Sequence, residues 1–267
     1  MSTTAHSPRD IGASYAIVRS VDGFGRLHEE AIRAAYESVL SEGDSAIDGG
    51  AHSGKHTLPM AAAVGATGQV LAFEPSPGPF AKLEAAINAQ PLSQVRAVCA
   101  AVSREPQSSQ RFLVFADRPG VSGFERRTDA AGELPADEIV VTTTTIDSYA
   151  DQLGPTRFIK LDVEGAELDA LFGARRVIAE YLPVIHIEAS YISWDAFGYG
   201  PTELLDFCRE FDYDLVDIIA TPLTSVAEVD QSFRTPSVWD YALIPPTSSG
   251  ATALSALTEF SANHYGL

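Results

Sequence analysis

Basic residues are scarce in this chain: 18 Lys and Arg stand against 36 Asp and Glu in 267 residues, a formal net charge of −18. That balance argues against a nucleic-acid partner, whose phosphates the protein's field would repel. No basic stripe interleaved with aromatics offers a single strand a track. Long hydrophobic runs are missing as well. No apolar stretch approaches the ~20 residues that span a bilayer, so no membrane partner is expected. Met1 to Asp10 shows neither the basic start nor the apolar core of a secretory signal. Cysteine is nearly absent, and the isolated Cys99 and Cys208 fit buried thiols in a reducing compartment rather than a disulfide framework. The expected location is cytoplasmic. Apolar content, in contrast, is ample at 45%, enough to fill the core of one α/β domain with elaborations.

Periodicity divides the chain into three parts. A helical extension over 1–43 is placed to act as a lid, its apolar residues at Leu27, Ile32, Ala35, Tyr36, Val39 and Leu40 having helical spacing. Segment 44–247 alternates short apolar strands with helices: strands at 46–48, 70–73, 95–100, 158–163 and 184–188, and helices from about Ser53, from Phe80 and over 166–181. This order predicts an α/β fold with a doubly wound, mostly parallel sheet. An insertion at 103–150 reads as a hairpin with a loose tip over 117–137. Strands at 213–219 and 239–244 lie close enough in sequence to pair antiparallel and close the sheet. The tail, 248–267, carries no signal.

The most informative stretch is Ala46-Ile47-Asp48-Gly49-Gly50-Ala51-His52-Ser53-Gly54, followed by Val70-Leu71-Ala72-Phe73-Glu74-Pro75. A strand ending in an acid and a glycine turn, then a second strand ending in an acid, suits an adenosine ligand whose ribose is gripped by the second carboxylate. Dinucleotide sites place backbone N–H groups of a G-x-G-x-x-G turn on a pyrophosphate. Here Asp48 leads the turn, which would repel a pyrophosphate and suits the ammonium of a methionine moiety. That favours S-adenosyl-L-methionine over NAD, with Asp48, Gly49, Gly50, Ala51, Ser53, His56, Thr57, Glu74, Pro75, Ala101 and Asp162 as candidate cofactor contacts. His52 reads as a solvated or capping turn residue.

A second anomaly lies on two strands read as central. Lys160, Asp162 and Glu164 alternate along one, and His186 and Glu188 along the next, although central parallel strands are normally apolar on both faces. Such violations fall at functional sites. Methyl transfer to an alcohol needs a base or a metal, because the hydroxyl does not ionise unaided. Glu164, His186, Glu188 and Asp162 are the candidate catalytic groups, and Asp162, Glu164 and Glu188 are the candidate ligands if a divalent metal is used. The structural alternative is a buried ion pair such as Lys160 with Asp162 or Glu188. Tyr191 and Trp194, in an aromatic segment after Glu188, are candidate acceptor contacts, with ordinary aromatic packing as the alternative.

Five segments in order resemble the FkbM family of S-adenosylmethionine-dependent methyltransferases: Asp48–Leu58, Phe73-Glu74-Pro75-Ser76-Pro77, Thr145-Ile146-Asp147-Ser148-Tyr149, Lys160–Glu167 and Ile185-His186-Ile187-Glu188. The resemblance spans about residues 44 to 190 and implies a class I methyltransferase fold, Rossmann-like and seven-stranded, with the 44–247 segment as the methyltransferase domain. It also implies cofactor contacts at Asp48, Gly50 and Glu74, and methyl transfer to a small-molecule hydroxyl of a polyketide, a sugar or a related natural product. His56 stands where the family more often has tyrosine. Two other readings compete: an NAD-dependent oxidoreductase, opposed by the Asp-Gly-Gly order and the closing hairpin, and a catalytically silent cofactor-binding partner module, opposed by the retained carboxylates. Whether two copies pair as a homodimer is left open by the sequence.

Overall fold

The computed structural model describes residues 10–90, 92–129 and 132–267. It opens with α1 (Ile11–Ser20) and α2 (Phe24–Val39). In α2, Leu27, Ala31, Ile32, Ala35 and Tyr36 recur at helical steps and are buried, while the outer face carries the pairs Arg26–Glu30 and Arg33–Glu37. This is how an amphipathic helix lies on a core. Next come β1 (Ser45–Gly49), α3 (Thr57–Val64), β2 (Gln69–Phe73), α4 (Pro77–Ala89) and β3 (Val95–Val98). The helix expected from Ser53 starts at Thr57, because His52 (φ 50°) and Gly54 (φ 92°) take left-handed backbone that a helix excludes. Pro59 then falls in the first helical turn, where its missing N–H leaves no bond unmade.

The insertion runs through β4 (Ala101–Val102), β5 (Gln107–Val114), β6 (Thr128–Asp129), β7 (Gly132–Glu133) and β8 (Asp137–Thr144). Strands β5 and β8 pair antiparallel and β4 joins β8, making a small sheet beside the main one. The chain returns through β9 (Thr156–Leu161), α5 (Glu167–Phe172), α6 (Arg175–Tyr181), β10 (Val184–Glu188), α7 (Tyr191–Trp194), α8 (Pro201–Phe211), β11 (Asp214–Asp217), α9 (Val226–Phe233), β12 (Asp240–Ile244) and α10 (Ser248–Tyr265).

Two expectations change here. The helix read over 166–181, with a bend at Gly173, is two helices that part at Gly173, where a Cβ would lie 2.1 Å from the Ser103 carbonyl oxygen. The carboxylate of Asp147 caps the second, accepting from Arg176 N at 2.9 Å and Val177 N at 3.0 Å. The tail is also not featureless. It forms α10, N-capped by Thr247 (Gly250 N to Oγ1, 3.1 Å) and packed against α2 through a small-residue face with Ala253 and Leu257 buried. Small and polar residues masked that face in the sequence.

Among the described residues, seven strands form the main sheet in the order β11-β12-β10-β9-β1-β2-β3. All neighbours run parallel except β12, which is antiparallel to both β10 and β11. Ile47, Phe73, Phe158 and Ile159 are fully buried in this sheet, each contributing about 1.5–3 kcal/mol relative to exposure. Winding proceeds outward from β1 to β3 on one side and from β9 to β11 on the other. The crevice at the carboxyl ends of β1 and β9 is therefore the switch point at which ligands bind such sheets. No helix among the described residues is long and apolar enough to cross a membrane.

The turn after β1 depends on Gly50. Its φ is 76°, and a Cβ there would lie 1.8 Å from the Asp162 carbonyl oxygen. Gly50→Ala is expected to lower stability by about 3 kcal/mol or more, or to prevent folding, because both the backbone region and the space exclude a side chain. Urea denaturation followed by circular dichroism checks this.

Candidate active site

A cavity of about 320 Å³ opens at the switch point between β1, β2 and β9. Of the candidate cofactor contacts, Asp48, Gly50, Ala51, Ser53, His56, Glu74, Pro75, Ala101 and Asp162 line it. Gly49 and Thr57 do not. Gly49 lies against β9, where a Cβ would meet Leu161 Cδ2 at 2.8 Å, and Thr57 serves Asp48 instead, donating from Oγ1 to Oδ2 at 2.6 Å. The other oxygen of Asp48 is buried without a partner. Glu74 ends β2 with its carboxylate already oriented: Oε2 accepts from His52 N at 2.9 Å and Oε1 from Ser76 N at 2.8 Å. Burial pushes its carboxyl up, and the two backbone N–H groups pull the other way.

Lys160 lies next to the carboxyl end of β9, buried, with Nζ 3.1 Å from Asp162 Oδ2. Burial disfavours its charge, but Asp162 and Asp48 outweigh it and the ammonium is held charged. The expected pairing of Lys160 with Asp162 is thus present. Strand β9 stops at Leu161, so the alternation read through to Glu164 does not continue. Glu164 has φ 60° and Gly165 φ 107°. This buckle is tied from below by Glu167, fully buried, which accepts from Val163 N (2.8 Å), Gly165 N (3.1 Å) and Trp194 Nε1 (2.8 Å). Burial lifts its carboxyl to about 7 against those donors.

The buckle brings Asp162 and Glu164 to Glu188, so that one oxygen of each lies within 4.8 Å of the others. Burial and then Asp162 push Glu164 up, to about 8, against the opposing charge of Arg127. Burial, then Asp162 and Glu164, push the Glu188 carboxyl well above the carboxylate range. The spacing alone would suit a divalent cation. The donor set does not, because two positive side chains already hold it: Lys160 on Asp162, and Arg127 with Nη2 3.0 Å from Glu164 Oε2. Arg127 arrives on the insertion and also donates to the Glu164 carbonyl (2.6 Å) and the Ile192 carbonyl (2.9 Å).

A second cavity of about 890 Å³ lies on the far side of this cluster, lined by Glu188, Tyr191, Phe233, Trp239, Arg127 and Arg234 among others. Tyr191 faces it and donates its hydroxyl to Asp230. Trp194 does not: it is fully buried, spent on Glu167 and the aromatic core. His186 lines neither cavity; it is buried with Nε2 3.0 Å from Asp240 Oδ1, and the other Asp240 oxygen lies 2.9 Å from His28 Nδ1. Both histidines favour the ionised Asp240 against its burial. Neither Trp194 nor His186 lines a cavity, so the structure places neither that expected acceptor contact nor that expected base beside the reactants.

Sequence reasoning missed Arg127, Glu167, Asp240 and Glu29, the last of which reaches the first cavity from α2. Only Glu167 carried a signal, as the final acid of the Lys160–Glu167 segment. The others are joined to the site by contacts distant in sequence.

A mostly parallel seven-stranded sheet closed by an antiparallel strand, with a crevice at the switch point and acids ending β1 and β2, defines the Rossmann-like class I methyltransferase fold. The methyltransferase FkbM domain profile matches residues 48–215, and the chain belongs to that family. No curated protein matches it. Among solved structures it is similar to the methyltransferase FkbM from Methylobacillus flagellatus KT, at 18% identity and TM-score 0.47 over 88% of this chain. The chain spans 59% of the length of that protein. It is also similar to an SAM-dependent O-methyltransferase from Thermotoga maritima (14% identity, TM-score 0.41, 82% of this chain and 66% of that one). A SAM-dependent methyltransferase from Aquifex aeolicus shows 12% identity and TM-score 0.40 over 86% of this chain and 96% of its own.

Glu167→Ala would strand two buried N–H donors, Gly165 N and Trp194 Nε1, and the half-buried Val163 N. The expected cost is about 2–4 kcal/mol, read as a lowered denaturation midpoint; an unchanged midpoint would mean the buckle is held elsewhere.

Proposed function

We propose that the chain is an S-adenosyl-L-methionine-dependent O-methyltransferase acting on a small-molecule hydroxyl, with the first cavity for the cofactor and the second for the acceptor. The observation that carries this reading is the position of Glu164: alone among the described residues, it lines both cavities. A carboxylate at such a junction stands between the two reactants, where a proton must leave as the methyl group arrives.

The first cavity fits this cofactor by its chemistry. Glu74 is pre-set by two backbone donors to accept from ribose hydroxyls, and in the remaining wall the acids Glu29, Asp48, Asp162 and Glu164 outnumber the two lysines, Lys55 and Lys160. That wall suits a sulfonium and an ammonium and repels a pyrophosphate, which disfavours an NAD-dependent oxidoreductase. S-Adenosylmethionine, when bound, supplies a methyl group already activated by its sulfonium. Glu164 takes the hydroxyl proton of the acceptor as the oxygen–carbon bond forms and the carbon–sulfur bond breaks, the electron pair staying on sulfur. A carboxyl raised to about 8 is matched to this task near neutral pH. Lys160 and Arg127 supply the charge that a metal would otherwise bring. Phe233, Val238, Trp239 and Tyr191 give the acceptor an apolar and aromatic bed, as a polyketide, a sugar ring or another natural product would need. Natural-product biosynthesis in the cytoplasm is the setting this implies.

Glu164→Gln should cut methyl transfer at least ~100-fold, as loss of a general base does, with S-adenosylhomocysteine binding retained. The wild-type rate should rise with pH up to about 8, since the base works only unprotonated, and the variant should lose that limb. Transfer of labelled methyl to a panel of hydroxylated small molecules, measured across pH, checks both; a variant at full rate would remove Glu164 from the chemistry.

A further inference from the structure

Helix α2 lies outside the family's matched span of 48–215, yet it places one residue, Glu29, in the wall of the cofactor cavity. We propose that Glu29 is a cofactor-binding residue whose carboxylate holds the ammonium of the methionine moiety, so that the N-terminal extension completes the cofactor site. This rests on the cofactor reading above.

The geometry at this end of the cavity selects a cation. Oε2 of Glu29 lies 2.6 Å from His56 Nε2, and Oε1 lies 3.1 Å from Lys55 Nζ. The Lys55 side chain is 64% exposed, so this pair is weak and open to competition. It also shows that Oε1 accommodates an ammonium. A carboxylate offers about four acceptor positions, so two contacts leave room for a ligand. Beside it, Asp48 is 1% exposed and leaves Oδ1 with no partner, and His56 Nδ1 is likewise buried and unmatched. Both residues line the cavity. Buried polar atoms without partners are costly and mark where a ligand atom belongs. Lys160, the buried cation nearby, is already committed to Asp162. Contact with His56 and Lys55 keeps the Glu29 carboxyl, against its burial, ionised down to about pH 2.

The alternative is that Glu29 only docks α2 onto the turn before α3. The two roles part when the ligand's amino-acid portion is removed. S-Adenosylhomocysteine carries that portion; 5′-methylthioadenosine keeps the adenosine and the thioether and lacks the ammonium. Calorimetric titration of both ligands into wild type, Glu29→Gln, Glu29→Asp and, as a control on the exposed face of the same helix, Glu37→Gln gives the test. Glu29→Gln should weaken S-adenosylhomocysteine about tenfold, as loss of a charge-assisted contact does, and leave methylthioadenosine unchanged. Glu29→Asp should recover part of the loss, and Glu37→Gln should alter neither affinity. Equal weakening of both ligands by Glu29→Gln, or weakening of neither, overturns the proposal while wild-type binding upholds the cofactor reading. A wild type that binds neither ligand overturns the cofactor reading and this proposal with it.

Discussion

The carboxyl ends of β1 and β9 meet only because position 50 carries no side chain. Against the Asp162 carbonyl there is no room for a Cβ, and everything in the site follows from that approach. It sets Asp48 beside Lys160 in register and brings the start of the 162–166 buckle to the floor of the crevice. Glycine here serves protein against protein. The cofactor cavity is the space left above the contact.

Charge balance governs what the buckle can hold. Three half-buried carboxyl groups within 4.8 Å of one another repel one another when ionised. Glu188 and Glu164 are both pushed above the ordinary carboxylate range. Lys160 from the sheet contacts Asp162, and Arg127 from the insertion contacts Glu164. The insertion is thus tied to the buckle: its guanidinium contacts Glu164, which lines both cavities, and the same side chain anchors the loop at Ile192. A structural pair and a functional site are here the same residues, so the ion-pair reading and the catalytic reading of this segment do not exclude one another.

The sheet was legible in the sequence because its strands are short apolar runs ending in acids and glycines, and the positions of Asp48, Gly50 and Glu74 at strand ends follow from that pattern. What escaped was tertiary. Glu164 sits off the strand, on left-handed backbone that a two-residue alternation cannot signal. His186 shares a strand with Glu188, but a partner 54 positions on (186 to 240) takes its imidazole. Trp194 has the composition of an acceptor wall, yet its indole N–H is needed by buried Glu167. Helix α10 is built of alanine, serine and threonine, with too little apolar contrast to announce a face. Glu29 and Arg127 look like ordinary surface charges in sequence and become site residues only once the extension and the insertion fold back over the sheet.

The central claim is that the crevice at the ends of β1 and β2 holds S-adenosylmethionine through carboxylates and without a metal. Calorimetric titration of S-adenosylhomocysteine after EDTA treatment, into wild type and Glu74→Ala, tests it most directly. The account predicts binding by the wild type with no metal present, and a loss of about 1.5–3 kcal/mol in the variant from the missing charge-assisted bonds to ribose. No wild-type binding until magnesium is restored, or equal affinity for the two proteins, would contradict it.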